Sequence, residues 1–393
     1  MNKLELQLNK IHCGDNREVM KTLPSDSVDL VVTSPPYWGL RDYDGDSQVW
    51  GGDPECEHDW TGASHSIKYG GGTNTDIGQH KSDKTHFSVK SVFCSKCGAW
   101  EGQLGLEPHP QLFVNHLVET FQEIKRILKP SGSFWLNLGD NYYGSRGNNS
   151  DYPQTKNQRI SSGMPSKSLA TGFNSNWLQP KQKLMMPHRV AIALQDDGWV
   201  LRNDVIWHKP NHMPESVQDR LTKSYENLFF FVKERKYYFD LDNIRIPYDP
   251  NVTRWGGNTM KIPKNEKIKQ GTASALTKEE RPWRSGTGKN PGDVWTIPTQ
   301  PFPGSHFAVF PPKLIEPIIK AGCPMDGVVL DPFAGSGTAL RVARKLGRSF
   351  IGIELNSEYA KMCEARIQGD KYTPPPEGVP KLSTFSKTKR IEQ

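Results

Sequence analysis

The sequence predicts an α/β fold in which a mostly parallel, twisted sheet carries helices on both faces. Three observations point there. Short apolar runs, several of them β-branched, alternate with helix-like segments in two blocks of the chain. Two of those runs end in loops built from Pro or Gly, TSPPYWG at 33–39 and DPFAGSG at 331–337. The blocks are separated by polar stretches that lack core-forming residues.

The first run, VDLVV (28–32), reads as a buried strand entered through the turn-like PSDS. Pro35 and Pro36 stop it, because proline has no N–H to give to a ladder. A helix is expected at 112–128, a strand at 133–138, a helix near 188–196, an extended segment at 199–209 and a very apolar strand at 227–233. The second block brings a helix around 312–321, a strand at 327–331, a helix after Gly337, a strand at 349–355 and a helix at 357–367. Such alternation packs as parallel strands joined by crossovers. Insertions at 51–103, 141–187 and 250–290 are too polar to build cores of their own, and the basic tail 370–393 is expected to be flexible. The reading is one domain over 1–369, with halves at 1–249 and 292–369.

Composition narrows the classes. The chain has 393 residues, a net charge of +7 and 35% hydrophobic residues, with a pI near 8.9 and a mean hydropathy of -0.66. No apolar run approaches the ~18 residues that a membrane span needs. The N-terminus has no apolar core or small-residue cleavage site, so a signal peptide is not expected. Six cysteines in so long a chain are not a disulfide framework, which points to a reducing cytoplasm. The positive charge allows a polyanionic partner.

The loop at 331–337 carries the strongest signal. A buried strand ends at Asp331, and Gly335 and Gly337 then open a helix, where backbone N–H groups can approach an anionic or polar ligand. Glu354 ends the next strand, a place suited to two ribose hydroxyls. The chain has neither GK[ST] nor G-x-G-x-x-G, which argues against a P-loop NTPase and a dinucleotide dehydrogenase. At the carboxyl edge of a sheet, Ser34, Pro35, Pro36 and Tyr37 are candidates for the lip of a pocket, although a rigid turn under an aromatic cover explains them equally well taken alone.

With these motifs in view, the chain resembles the amino-methylating DNA methyltransferases. DPFAGSG is similar to their S-adenosylmethionine-binding loop and TSPPYW to their catalytic motif. The catalytic motif comes first in the chain, as in the β group of that family. HCGDN (12–16) and the segment 292–319 are also similar to family segments, whereas the insertions are not covered. The resemblance implies a Rossmann-like, S-adenosylmethionine-dependent methyltransferase fold with circularly permuted motif order, its catalytic half at 1–249 and its cofactor half at 292–369. It implies catalysis at Ser34, Pro35, Pro36 and Tyr37. Asp331, Phe333, Gly335 and Gly337 would line the methionine and ribose side of the cofactor, Glu354 the ribose hydroxyls, Asp15 the adenine amino group and Phe307 the methionine end.

The chemistry suits these residue types. An exocyclic amino group is a poor nucleophile because its lone pair is delocalised into the base. Ser34 Oγ and the Pro35 carbonyl can accept its N–H bonds and turn the lone pair toward a sulfonium methyl, with Tyr37 stacked on a base flipped out of the duplex. Positioning then accounts for most of the catalysis. The chain has no Pro-Cys dipeptide, which argues against a cytosine-C5 enzyme. Within the family, Ser before Pro-Pro-Tyr goes mostly with cytosine N4, and Asp or Asn with adenine N6. Ser34 therefore favours cytosine N4, with adenine N6 the alternative.

Cys94 and Cys97 form a C-x-x-C, and Cys56 and His58 lie upstream in CEHDW. Two short pairs of soft ligands are what a structural Zn2+ site requires, and a coreless insertion needs such a staple. A simple thiol pair is the plain alternative, and His65, His80 and His86 are rival ligands. Cys323 and Cys363 are expected to be packing residues. Arg146, Arg159, Lys167, Arg254 and Arg284, set among Asn, Gln and Trp in 141–187 and 250–290, are candidates for contacts with double-stranded DNA. A cognate restriction endonuclease and a homodimer are further partners the family reading admits. Two rivals stand beside the DNA reading. One is methylation of RNA or of a glutamine amide, and the other is a non-catalytic, zinc-containing nucleic-acid-binding protein.

Overall fold

The computed structural model describes residues 7–39, 46–60, 64–70, 86–143, 176–247, 288–300 and 310–369, without the side chains of 64–70 and 86–92. In chain order the first half holds β1 (Lys10–Cys13), α1 (Asn16–Lys21), β2 (Val28–Thr33), β3 (Gln48–Trp50), β4 (Ser64–Gly70), β5 (His86–Phe93) and β6 (Trp100–Gly102). Then come α2 (Pro110–Ile127), β7 (Leu128–Leu138), α3 (Met186–Asp196), β8 (Val200–His208) and β9 (Tyr225–Val232). The last block is β10 (Val294–Thr296), α4 (Pro312–Gly322), β11 (Val328–Asp331), α5 (Thr338–Lys345), β12 (Ser349–Glu354) and α6 (Ser357–Gln368).

The large sheet has eight strands in the order β1-β12-β11-β2-β7-β9-β8-β10. All neighbours pair in parallel except β9, which runs against both β7 and β8. This is the mostly parallel sheet that the alternation predicts. β2 and the last six residues of β9 are buried throughout, because helices cover both faces and leave no solvent side for alternation to mark.

One face of the sheet packs on α1, α2 and α3 through Met20, Phe113, Leu117, Phe121, Val190 and Leu194. The other packs on α4, α5 and α6 through Leu314, Ile315, Ile318, Leu340, Cys363 and Ile367. Each fully buried side chain of this size contributes about 1.5–3 kcal/mol of transfer free energy. Local signals place the helix ends. His109 caps α2 by accepting from Gln111 N at 3.0 Å, and Asn356 Oδ1 caps α6 by accepting from Glu358 N at 2.9 Å. Cys323 and Cys363 are fully buried, as expected of packing residues. Among the described residues no helix is long and apolar enough to cross a membrane.

The insertion 51–103 docks on the main core, and its strands join β3 in a second, antiparallel sheet of order β3-β6-β5-β4. At its inner end Trp50 and Trp100 sandwich the His116 ring of α2, with centroids 4.8 and 5.5 Å away. His116 Nδ1 lies 3.1 Å from Glu107 Oε1 in that buried cluster. Arg17 of α1 lies 3.8 Å over Trp50 and donates to Val49 O at 3.0 Å. Two tryptophans at the ends of a polar stretch dock it, and composition averaged over the stretch hides them.

Candidate active site

β2 and β11 are hydrogen-bonded neighbours, with Leu30 opposite Val329 and Val31 opposite Leu330. Their carboxyl ends therefore lie side by side, although the chain separates them by most of its length. Thr33 Oγ1 donates to Asp331 Oδ1 at 2.6 Å, tying one motif to the other. A single cleft opens above this junction. Ser34, Pro35, Pro36 and Tyr37 line it from the first half, and Asp331, Phe333, Gly335 and Glu354 from the second.

Asp331 is 1% exposed, and the interactions that shift it include no cation. Burial pushes its carboxyl up to about 7, with Glu354 adding to the rise and the donors Thr33 and Phe333 N offsetting part of it. Glu354 Oε2 accepts from Gly335 N at 2.8 Å and Oε1 from Asn356 N at 3.0 Å. Burial raises this carboxyl too, against those backbone donors. Gly335 has φ +50°, and a Cβ there would meet only Phe333 O, at 3.9 Å. Gly337 also serves packing: with φ +74° its Cβ would stand 2.3 Å from Cys363 Sγ, so its smallness lets α5 pack on α6.

Asp15 is tied to α1. Its carboxylate caps α1 by accepting from Arg17 N at 2.9 Å, and it pairs with the Arg17 guanidinium at 2.8 Å. Burial opposes ionisation there, but Arg17 holds the group below the usual carboxylate range. The Asp15 neighbours Gly14 and Asn16 line the cleft. Asn16 Nδ2 donates to Pro332 O at 3.1 Å. Phe307 lies outside the described residues, and nearby Phe310 is buried and lines the cleft. Sequence reasoning missed Gln48, Trp50, Gln103 and Leu104, which place one end of the small sheet against the same cleft.

At the catalytic motif Ser34 Oγ donates to Tyr37 Oη at 3.2 Å. Tyr37 Oη lies 3.0 Å from Glu226 Oε2 on β9 and 3.2 Å from Asn137 Oδ1 on β7. Gly139 leaves room for the ring, since a Cβ there would stand 2.5 Å from Tyr37 Cε2. Glu226 and Asn137 also escaped the sequence reading. The sign available was a polar residue inside each apolar run, SFWLNL and YENLFFF.

Cys56, His58, Cys94 and Cys97 bring their ligand atoms within 4.8 Å of one another. Cys56 Sγ is 4.0 Å from Cys94 Sγ, and Cys97 Sγ is 3.4 Å from His58 Nδ1. A tetrahedral zinc with Zn–S near 2.3 Å sets ligand atoms about 3.8 Å apart, so the donor set fits that ion. Burial works against ionisation of Cys94, yet backbone N–H groups of Cys97 and Asp59 and the His58 ring bring its thiol down to about 5. The rival ligand His80 and the side chains of His65 and His86 lie outside the described part of the structure. Arg146, Arg159, Lys167, Arg254 and Arg284 also lie outside the described residues.

A mostly parallel sheet covered on both faces carries on one cleft a glycine loop, the Glu354 carboxylate that holds that loop and a Ser-Pro-Pro-Tyr edge, the features of an S-adenosylmethionine-dependent methyltransferase. The family model described as DNA methylase, of the N6/N4 type, matches residues 28–365, and the chain belongs to that family. It is 35% identical over 369 residues to the Type II methyltransferase M.Cfr9I of Citrobacter freundii, covering 93% of this chain and 90% of that protein. It is 36% identical over 358 residues to the Type II methyltransferase M.XycI of Xanthomonas campestris pv. cyanopsidis, covering 91% and 86%. Among solved structures, the cytosine-N4-specific PvuII DNA methyltransferase aligns with 91% of this chain and 89% of its own, at 16% identity and a TM-score of 0.49.

Proposed function

We propose that this DNA methyltransferase transfers a methyl group to cytosine N4 in duplex DNA and serves as the modification partner of a restriction endonuclease in a bacterial cytoplasm. Ser34 carries the choice of base. It stands where the adenine-directed enzymes of the family mostly have Asp or Asn, and it lines the cleft directly beside Asp331 and the glycine loop. Its hydroxyl and the Pro35 carbonyl accept the two N–H bonds of the target amine, and the Tyr37 ring stacks on the flipped base. S-adenosylmethionine supplies an activated methyl group on a sulfonium centre. Asp331, Phe333, Gly335 and Glu354 hold it, together with Asn16. Cys56, His58, Cys94 and Cys97 hold a structural zinc that fixes the small sheet.

Beyond the end of β7, arginines seated on aromatic rings suit a polyanion with exposed bases. Arg220, which also pairs with Glu215, lies 4.0 Å over the Tyr142 ring, and Arg189 lies 3.7 Å over Trp177. Asn141, next to Tyr142, donates to Trp38 O at 3.3 Å, which ties this segment to the catalytic motif. Cations seated on aromatic rings can meet both phosphates and splayed bases. The test is transfer of tritiated methyl from S-adenosylmethionine into duplex DNA, followed by nucleoside analysis. N4-methylcytosine is the expected product. N6-methyladenine would overturn the choice of base, and label in RNA or protein alone would overturn the substrate class.

A further inference from the structure

We infer that Glu226 is a positioning residue that sets the direction of the hydrogen bonds around Ser34, so that the serine presents only lone pairs to the target amine. The inference rests on the proposed transfer to an exocyclic amine. Geometry carries it. Glu226 lies on β9, 189 residues from Tyr37 in sequence, yet its Oε2 is 3.0 Å from Tyr37 Oη. Its Oε1 pairs with the Lys209 ammonium, and both side chains are largely buried, 19% and 16% exposed. An ion-paired carboxylate can only accept, so the Tyr37 hydroxyl proton points to it.

The second group near Tyr37 Oη enforces the same direction. Asn137 Nδ2 donates to Asn227 O at 3.1 Å and to Glu226 Oε2 at 3.3 Å. Those two acceptors orient the amide and turn Asn137 Oδ1, another acceptor, toward Tyr37 at 3.2 Å. With acceptors on β7 and β9, the one phenolic proton is committed to that side, and Tyr37 receives the proton of Ser34 at 3.2 Å. Ser34 Oγ then faces the cleft with lone pairs alone. That suits an amine, which has two hydrogens to give and whose own lone pair must be left for the methyl group. A serine proton pointed at the amine would instead engage that lone pair.

Glu226→Gln keeps the shape and allows an N–H to face Tyr37, which permits the chain to reverse. Single-turnover methyl transfer should fall on the order of 10²-fold, the size of effect seen when one preorganised hydrogen bond is lost at an active site. Cofactor affinity by calorimetry and base flipping, read from 2-aminopurine fluorescence at the target position, should be unchanged. Tyr37→Phe breaks the chain while leaving the Glu226–Lys209 pair in place, and in that background Glu226→Gln should have little further effect. Wild-type transfer rates in Glu226→Gln would overturn the inference. So would an equal loss in the Tyr37→Phe background, which would mean that Glu226 acts through the fold. Since the parent enzyme is assayed first, absence of any methyl transfer to DNA would show there and would count against the proposed function instead.

Discussion

Replacing Asp331 by Asn should make the cofactor-free protein more stable at pH 8 while weakening cofactor binding. The carboxyl sits at about 7 in the folded protein against an ordinary 3.8, and burial is the main cause. Its folded value is raised, so the folded state keeps a proton that the unfolded state sheds between those two values. Stability therefore declines as the pH rises from about 4 to about 7, and the cost is complete above that window. At about 1.4 kcal/mol per tenfold change in proton affinity, the buried charge costs about 4 kcal/mol at pH 8. Water in the cleft screens part of this, so the measured gain should lie below that figure. Asparagine can still accept from Thr33 Oγ1 and Phe333 N, the two donors that Asp331 uses at 2.6 and 3.1 Å. Thermal unfolding of both proteins from pH 4 to 8 is the assay. The variant's melting temperature should match the parent's near pH 4 and exceed it by several degrees at pH 8. Calorimetry at pH 8 should show weaker S-adenosylmethionine binding, because a cationic ligand loses its buried counter-charge. A difference in melting temperature that stays flat with pH would refute the reasoning, as would a variant less stable than the parent at pH 8.

Further outcomes follow from the same geometry. Ser34→Ala should retain cofactor affinity but lose most methyl transfer, because Ser34 orients the amine; wild-type turnover would sink that role. Gly337→Ala should cost about 1–3 kcal/mol of stability by overpacking against Cys363, with partial recovery in a Gly337→Ala, Cys363→Ala double variant. Gly335→Val should instead reduce cofactor affinity, since it forces a β-branched residue to φ +50° at the cleft wall. Purified protein should carry about one zinc per chain by elemental analysis. Cys94→Ser should then speed proteolysis within 51–103 and also weaken cofactor binding, because Trp50, Gln48, Gln103 and Leu104 line the cleft. Free alkylation of Cys94 and Cys97 under native conditions would argue against the metal.

What was legible in the sequence was local or carried by a short contiguous motif. The buried runs at 28–32 and 327–331, the proline stop after Ser34 and the glycine loop before α5 are each written in a few adjacent residues, because strand ends and tight turns depend on nearest-neighbour sterics. That the two motifs serve one cleft was implied only by the family resemblance. Pairwise geometry between distant segments was not legible. An apolar run such as NLFFFV reads alike in either direction, so only the sheet decided that β9 runs against β7 and β8. That reversal carries Glu226 to the hydroxyl of Tyr37, where no spacing rule could have placed it. Motif logic also could not show that Gly337 lets α5 pack on α6 or that Asp15 pairs with Arg17 on α1. Trp50 and Trp100 sat at the ends of a stretch whose average composition was polar, and docking against His116 decided what they do. Backbone sterics act over a few residues and can be read along the chain, whereas burial, ion pairing and hydrogen-bond direction depend on which segments meet, and only the folded sheet brings those segments together.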